Sequence, residues 1–125
     1  MAKAKPKRDE VRENRIEMEI VVDCYNEEER AMGWFGYLQD QLEFPFTATC
    51  IEKRSSSPLR IKDKVEVIDL PGGDVCDSEM FVTIRWDKDS LDVPLSQVKP
   101  IDSTGEQTKQ GVEDWHYWLQ MGYEF

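Results

Sequence analysis

The apolar positions of the first third of the chain suit helices. Residues 9–25 admit two periods: Val11, Met18, Val21, Val22 and Tyr25 fit a helical stripe, whereas Ile16, Met18, Ile20 and Val22 alternate as in a strand. Glu, Arg and Met are good helix formers and no turn signal interrupts the run, so the expectation is a helix. Asn26 then reads as an N-cap, with Glu29 at capping-box spacing and Glu27, Glu28 and Glu29 facing the positive end of the helix dipole. The second helix is expected to run to about residue 42, with Ala31, Trp34, Phe35, Leu38 and Leu42 on one face. Asp40 points away from that stripe, on the side of Gly33 and Gly36. Two glycines there leave the surface open to another element or to an ion, although an outward aspartate on a helix is usually just solvated, which makes Asp40 a weak candidate on this ground alone. Pro45 disfavours helix at Phe44 and ends the run.

Beyond it the period changes from helical to two. Strands are expected over residues 46–53, 63–70, 80–86, 91–94 and 98–101, with one tight helical turn at residues 95–97. Five short strands over so short a span, with a turn before the last, predict an α+β fold: a small five-stranded SH3-like β-barrel with two N-terminal helices and a short C-terminal helix. That last helix is placed at residues 112–121, carries Trp115, Trp118 and Leu119, and has Gly122 as its C′ residue. Its aromatic residues are expected to dock on the barrel or on the first helices. Residues 102–110 read as polar linker. The expected organisation is a basic tail at 1–8, a helical segment at 9–43, the barrel at 44–102, and linker with C-terminal helix at 103–125, residues 9–125 forming one folded unit.

Charge narrows the class of partner. The 125 residues carry a net charge of −10, a field that disfavours nucleic acid and anionic lipid and favours cations or basic proteins. Only Lys3, Lys5, Lys7 and Arg8 run against it. No apolar run is long enough to span a bilayer and there is no signal-peptide core, so no membrane association is expected. Three widely spaced cysteines, Cys24, Cys50 and Cys76, suggest free thiols in a reducing cytoplasm. With no Cys-x-x-Cys and a single histidine, His116, a zinc site is not expected.

The acids are unevenly distributed. Residues 69–92 hold seven carboxylates and two basic side chains, bracketing the strand at 80–86. Before the strand, Asp69, Asp74, Asp77 and Glu79 surround a Pro-Gly-Gly turn, in which Gly72 and Gly73 can take positive φ and expose carbonyl oxygens. No basic residue near in sequence neutralises them. Carboxylates crowded on one turn suit Ca²⁺, which takes six to eight oxygens; a solvated β-turn accounts for them as well. After the strand, Asp87, Asp89 and Asp92 have the spacing that starts an EF-hand loop, without its glycine at the sixth place or its glutamate at the twelfth. They form a second, weaker candidate. No catalytic motif is recognisable: Asp114 and His116 lie close in sequence but lack a nucleophile, and a histidine among tryptophans is more often packed than catalytic. The rival to cation binding is an interaction module presenting Trp34, Trp86 and Trp115, with acidic loops steering a basic partner.

Several strings carry a resemblance. Arg15-Ile-Glu-Met-Glu-Ile-Val-Val-Asp, Glu29-Arg-Ala-Met-Gly-Trp-Phe-Gly-Tyr-Leu and Leu42-Glu-Phe-Pro-Phe-Thr-Ala resemble the bacterial calcium-binding protein family typified by the cyanobacterial CcbP. So do Ser57-Pro-Leu, Val93-Pro-Leu-Ser-Gln and Asp114-Trp-His-Tyr-Trp-Leu followed by Gly122-Tyr. The resemblance implies a cytoplasmic Ca²⁺-binding protein rather than an enzyme, and in filamentous cyanobacteria calcium buffering that restrains heterocyst differentiation. It also raises Asp40, which lies just before the Leu-Glu-Phe-Pro-Phe string, where an acid could complete a site begun by a barrel turn.

Overall fold

The computed structural model describes residues 7–55, 57–72 and 79–125. The order of elements is α1 (Glu10–Arg15), a π-helical segment (Ile16–Ile20), α2 (Glu27–Gln41), β1 (Phe46–Cys50), β2 (Lys64–Asp69), β3 (Phe81–Trp86), β4 (Asp89–Pro94), a 3₁₀ turn (Leu95–Gln97), β5 (Val98–Pro100) and α3 (Glu106–Gln120). The helix expected over residues 9–25 forms, but in two pieces: Asp9 caps α1 by accepting from the Arg12 amide at 3.0 Å, and the helix widens into the π segment before Asp23 turns left-handed at φ 58°. Ile16 and Ile20 face inward from it.

Asn26 caps α2 as the sequence suggests, its Oδ1 accepting from Glu29 N at 2.8 Å. Glu29 answers one residue earlier than in the usual capping box, Oε2 accepting from Tyr25 N at 2.9 Å. Gly33 does not leave an open surface. A Cβ there would collide with the Ile20 carbonyl oxygen, so this glycine is what lets the π segment lie against α2, while Gly36 faces open space.

All strand pairs are antiparallel, in the order β4-β3-β2-β1-β5. Burial alternates along β1 and β3, so one face of the sheet carries the core. The expected barrel does not close: among the described residues β4 and β5 remain the two edges of an open sheet.

The segment expected to be polar linker is half helix. Residues 106–110 have no apolar period, yet Thr108 is buried, accepting from Glu43 N at 3.0 Å and donating to Gln41 O at 3.3 Å. Those bonds tie the start of α3 to the end of α2, and Gly111 crosses closely over Gln41. At the other end Gly122 takes φ 82°, with Gly122 N donating to Leu119 O and Tyr123 N to Trp118 O, a Schellman cap at the expected glycine. The aromatic face of α3 packs on α2: Trp34 lies edge-on to Trp115 and Trp118, with centroids 5.1 and 5.6 Å away.

Candidate metal centre

β2 and β3 pair with a register shift between Val67 and Asp69, a bulge of the kind that re-aims a strand end. It leaves Asp69 exposed at the start of the acidic turn. Gly72 is also exposed, and a Cβ there would sit 3.3 Å from Phe35 Cζ, so the start of the turn lies against Phe35 of α2. Its left-handed freedom is unused; Gly122 is the one glycine with positive φ among the described residues. Asp40 stands exposed near the C-terminal end of the same α2, and its main-chain carbonyl accepts from Gln107 Nε2 at 3.3 Å, which ties the last turn of α2 to α3. Asp74 and Asp77, like Gly73 and Cys76, lie outside the described residues.

Glu79 does have a cation beside it. Arg54 reaches across from the 51–58 loop and donates to its Oε2 at 2.9 Å, while also meeting Ser96 Oγ at 3.3 Å and Glu52 at 3.6 Å. Linear spacing missed this because Arg54 is twenty-five residues away. Asp87, Asp89 and Asp92 are not brought together. Asp89 and Asp92 are three apart on β4 and therefore face opposite sides of the sheet, roughly 10 Å apart along the strand. Asp92 accepts from Thr83 Oγ1 at 2.6 Å, Asp89 accepts from the Ser90 amide, and Asp87 occupies the hairpin turn at φ 55°. Among the described residues, no three His, Cys, Asp or Glu side chains are placed to hold a metal ion. A site at the first turn therefore has to draw on Asp74, Asp77 or main-chain carbonyls in addition to Asp40 and Asp69. In kind, those donors fit: every one is oxygen, as a hard divalent cation requires.

The strongest charge constellation is one the sequence reading did not find. Asp114 is fully buried in α3. Arg15 grips it with two bonds of 2.8 Å, Nε to Oδ2 and Nη2 to Oδ1, Arg12 lies 3.3 Å from Oδ1, and the Tyr37 hydroxyl donates to Oδ2 at 2.5 Å. Burial, and then this bond to Asp114, pushes Tyr37 up to about 12, so it remains a donor at neutral pH. The bond to Asp114 likewise raises Arg15. Beside it, Glu13 accepts from the hydroxyls of Tyr117 at 2.5 Å and Tyr123 at 3.0 Å. The one signal in the sequence was an acid inside the apolar stripe Gly111, Trp115, Trp118. This network joins α1, α2 and α3; with every oxygen of Asp114 taken by cations and a hydroxyl, it is a brace.

The proposed aromatic docking face is also corrected. Trp34 and Trp115 are 0% and 1% exposed, so neither is presented to a partner. His116 is packed, as expected: its Nε2 donates to Leu95 O at 3.2 Å. Burial pulls its pKa below the ordinary 6.5. The folded state thus resists a proton that the unfolded chain takes up. This contribution is complete above the ordinary histidine value and is lost as pH falls from there through the depressed one. Urea midpoints taken from pH about 7.5 to about 5 should fall below pH about 6.5 in the parent chain, and fall less in His116→Gln. Equal slopes would contradict this.

Comparison with known proteins agrees with the strings noted above. The model of the CcbP family, described as calcium binding, matches residues 14–119. The chain belongs to the CcbP calcium-binding family. The crystal structure of Anabaena CcbP is similar to it with a TM-score of 0.85 and 40% sequence identity, covering 98% of this chain and 100% of that one. A structure described as a calcium binding protein in the calcium-binding form has a TM-score of 0.83 and 41% identity, covering 94% of this chain and 96% of that one. No curated protein sequence matches this chain.

Proposed function

We propose that this CcbP-family chain binds Ca²⁺ reversibly, using Asp40, Asp69, Asp74 and Asp77 with main-chain carbonyls of the 69–79 turn. The observation that carries this reading is the 41% identity, over nearly the whole chain, to a protein solved in a calcium-binding form. The exposed carboxylates of Asp69, at the start of the turn, and Asp40, on α2, supply oxygen donors of the matching kind. Glu79 joins only by leaving Arg54, and Asp87, Asp89 and Asp92 are too dispersed to act as one site. When bound, the ion would relieve repulsion among these carboxylates; the scaffold's part is to set the start of the turn, at Gly72, against Phe35 of α2.

Buffering suits this scaffold better than sensing. A sensor needs an element with two arrangements of similar energy, whereas here Asp114 and Glu13 cross-brace all three helices. In a cyanobacterial cytoplasm such a buffer would restrain heterocyst differentiation, as the family resemblance implies. The strand order, with a 3₁₀ turn before the last strand, supports reading the open sheet as SH3-like in its connectivity.

Calorimetry on metal-stripped protein tests the binding. The expected outcome is saturable heat with Ca²⁺ in the micromolar range, weak competition by Mg²⁺, and at least a roughly tenfold weaker affinity in Asp40→Ala. Absence of heat at millimolar Ca²⁺ would refute the proposal.

A further inference from the structure

Two observations single out the outer face of the N-terminal helical hairpin. The first is apolar exposure. Of the seven large hydrophobic side chains exposed among the described residues, five fall between positions 11 and 32: Val11 at 73%, Met18 at 59%, Val22 at 46%, Tyr25 at 82% and Met32 at 67%. Single exposed apolar residues are ordinary; a concentration on one supersecondary unit is not. Ile16 and Ile20 take the inward side of the π segment, which turns Met18 outward, and Val22 follows it four residues later. Met32 immediately precedes Gly33, on which the Ile20 carbonyl rests, so the π segment and the first half of α2 lie side by side. Two of the exposed residues are methionines, whose unbranched, polarisable side chains adapt to varied apolar surfaces.

The second is charge. Residues 16–29 contain six carboxylates and no lysine or arginine. The arginines at its two ends are both turned away: Arg15 is held by Asp114 and Arg30 by the Phe125 carbonyl. Glu17, Glu19, Asp23, Glu27 and Glu28 are exposed among the apolar residues. A membrane surface, usually anionic, is repelled by such a face, and a second copy of a chain of net charge −10 is disfavoured for the same reason. An occupant has to be apolar on one side and basic around it.

We propose that Met18, Val22, Tyr25 and Met32, set among these carboxylates, form a docking surface for a basic amphipathic helical segment of another protein. The apolar side chains of such a segment would lie on the methionines, and its lysines or arginines would meet the surrounding acids. Nothing in this surface uses the metal turn, so docking should occur with or without Ca²⁺.

The test is fluorescence anisotropy of a dye-labelled Leu/Lys model helix of about 18 residues, titrated with the full chain at ionic strength about 0.15 M in chelator. Saturable binding is expected, weakened roughly tenfold or more by M18S combined with M32S and unchanged by I61S, which alters an exposed apolar residue elsewhere. A Ser/Lys peptide of equal charge should bind at least about tenfold more weakly. Methyl NMR of the methionines should show Met18 and Met32 shifting on addition of the Leu/Lys helix while buried Met80 stays in place. No binding, equal affinity for the Ser/Lys peptide, indifference to the methionine substitutions, or self-association of the chain through this face would each overturn the proposal.

Discussion

Replacing Asp114 by alanine is expected to destabilise the protein by about 3–5 kcal/mol, the usual consequence of removing one partner from a buried ion pair. The physical reason is what would be left behind. Arg15 and Arg12 converge on the carboxylate with side chains 17% and 21% exposed, and Tyr37 donates its hydroxyl to the same group. Without Asp114 two guanidinium groups face each other with little access to water, and the hydroxyl loses its acceptor. Asp114→Asn should cost less, since one oxygen remains to accept. An exposed pair provides the contrast: Arg85 and Glu66 meet at 2.9 Å with side chains 63% and 43% exposed, so Arg85→Ala should cost less than about 1 kcal/mol. Urea denaturation of all three variants checks the order. A value below about 1 kcal/mol for Asp114→Ala would mean that water or rearrangement satisfies the arginines.

Truncating Trp34 to alanine should cost a comparable amount, about 3–5 kcal/mol. Trp34 has no exposed surface and is ringed by Tyr37, Trp115 and Trp118, with centroids 5.1 to 5.9 Å away. Its removal opens a void where α2 and α3 meet, walled by the large rings of Trp115 and Trp118, which have little room to collapse. Trp34 and Asp114 both join α2 to α3, through Trp115 and through Tyr37, so the two changes should not be additive. Denaturant midpoints of the single and double variants measure this, together with the near-UV circular dichroism of the tryptophan cluster. A loss under about 1.5 kcal/mol for Trp34→Ala would show that the cluster repacks.

What the sequence made legible follows a physical division. Local signals were enough for the N-cap of α2 and the C-cap of α3: Asn26 with Glu29, and Gly122 with its Schellman bonds, depend on residues within a few positions. The strands were legible because β1 to β3 alternate inward and outward, as in the burial of Phe46, Ala48 and Cys50. Long-range partnerships were not legible. Thr108 holds a polar turn in helical form through residues 41 and 43, Arg54 neutralises Glu79 from another loop, and Asp114 finds its cations in α1. For the candidate site, residue type was the only guide. It marked Asp40 and Asp69, which stand exposed on α2 and at the end of β2. It equally marked Asp87, Asp89 and Asp92, which strand geometry then disperses.

On the proposed reading Ca²⁺ is taken up at the turn after β2, with Asp40 of α2 as a further ligand. A Ca²⁺ titration of the metal-stripped chain, followed residue by residue in backbone ¹⁵N NMR, tests it most directly. Saturable shifts are expected at Asp40 and across residues 69–79, abolished together in Asp40→Ala, while residues 87–92 stay in place. Shifts confined to residues 87–92, or an unchanged spectrum, would contradict it.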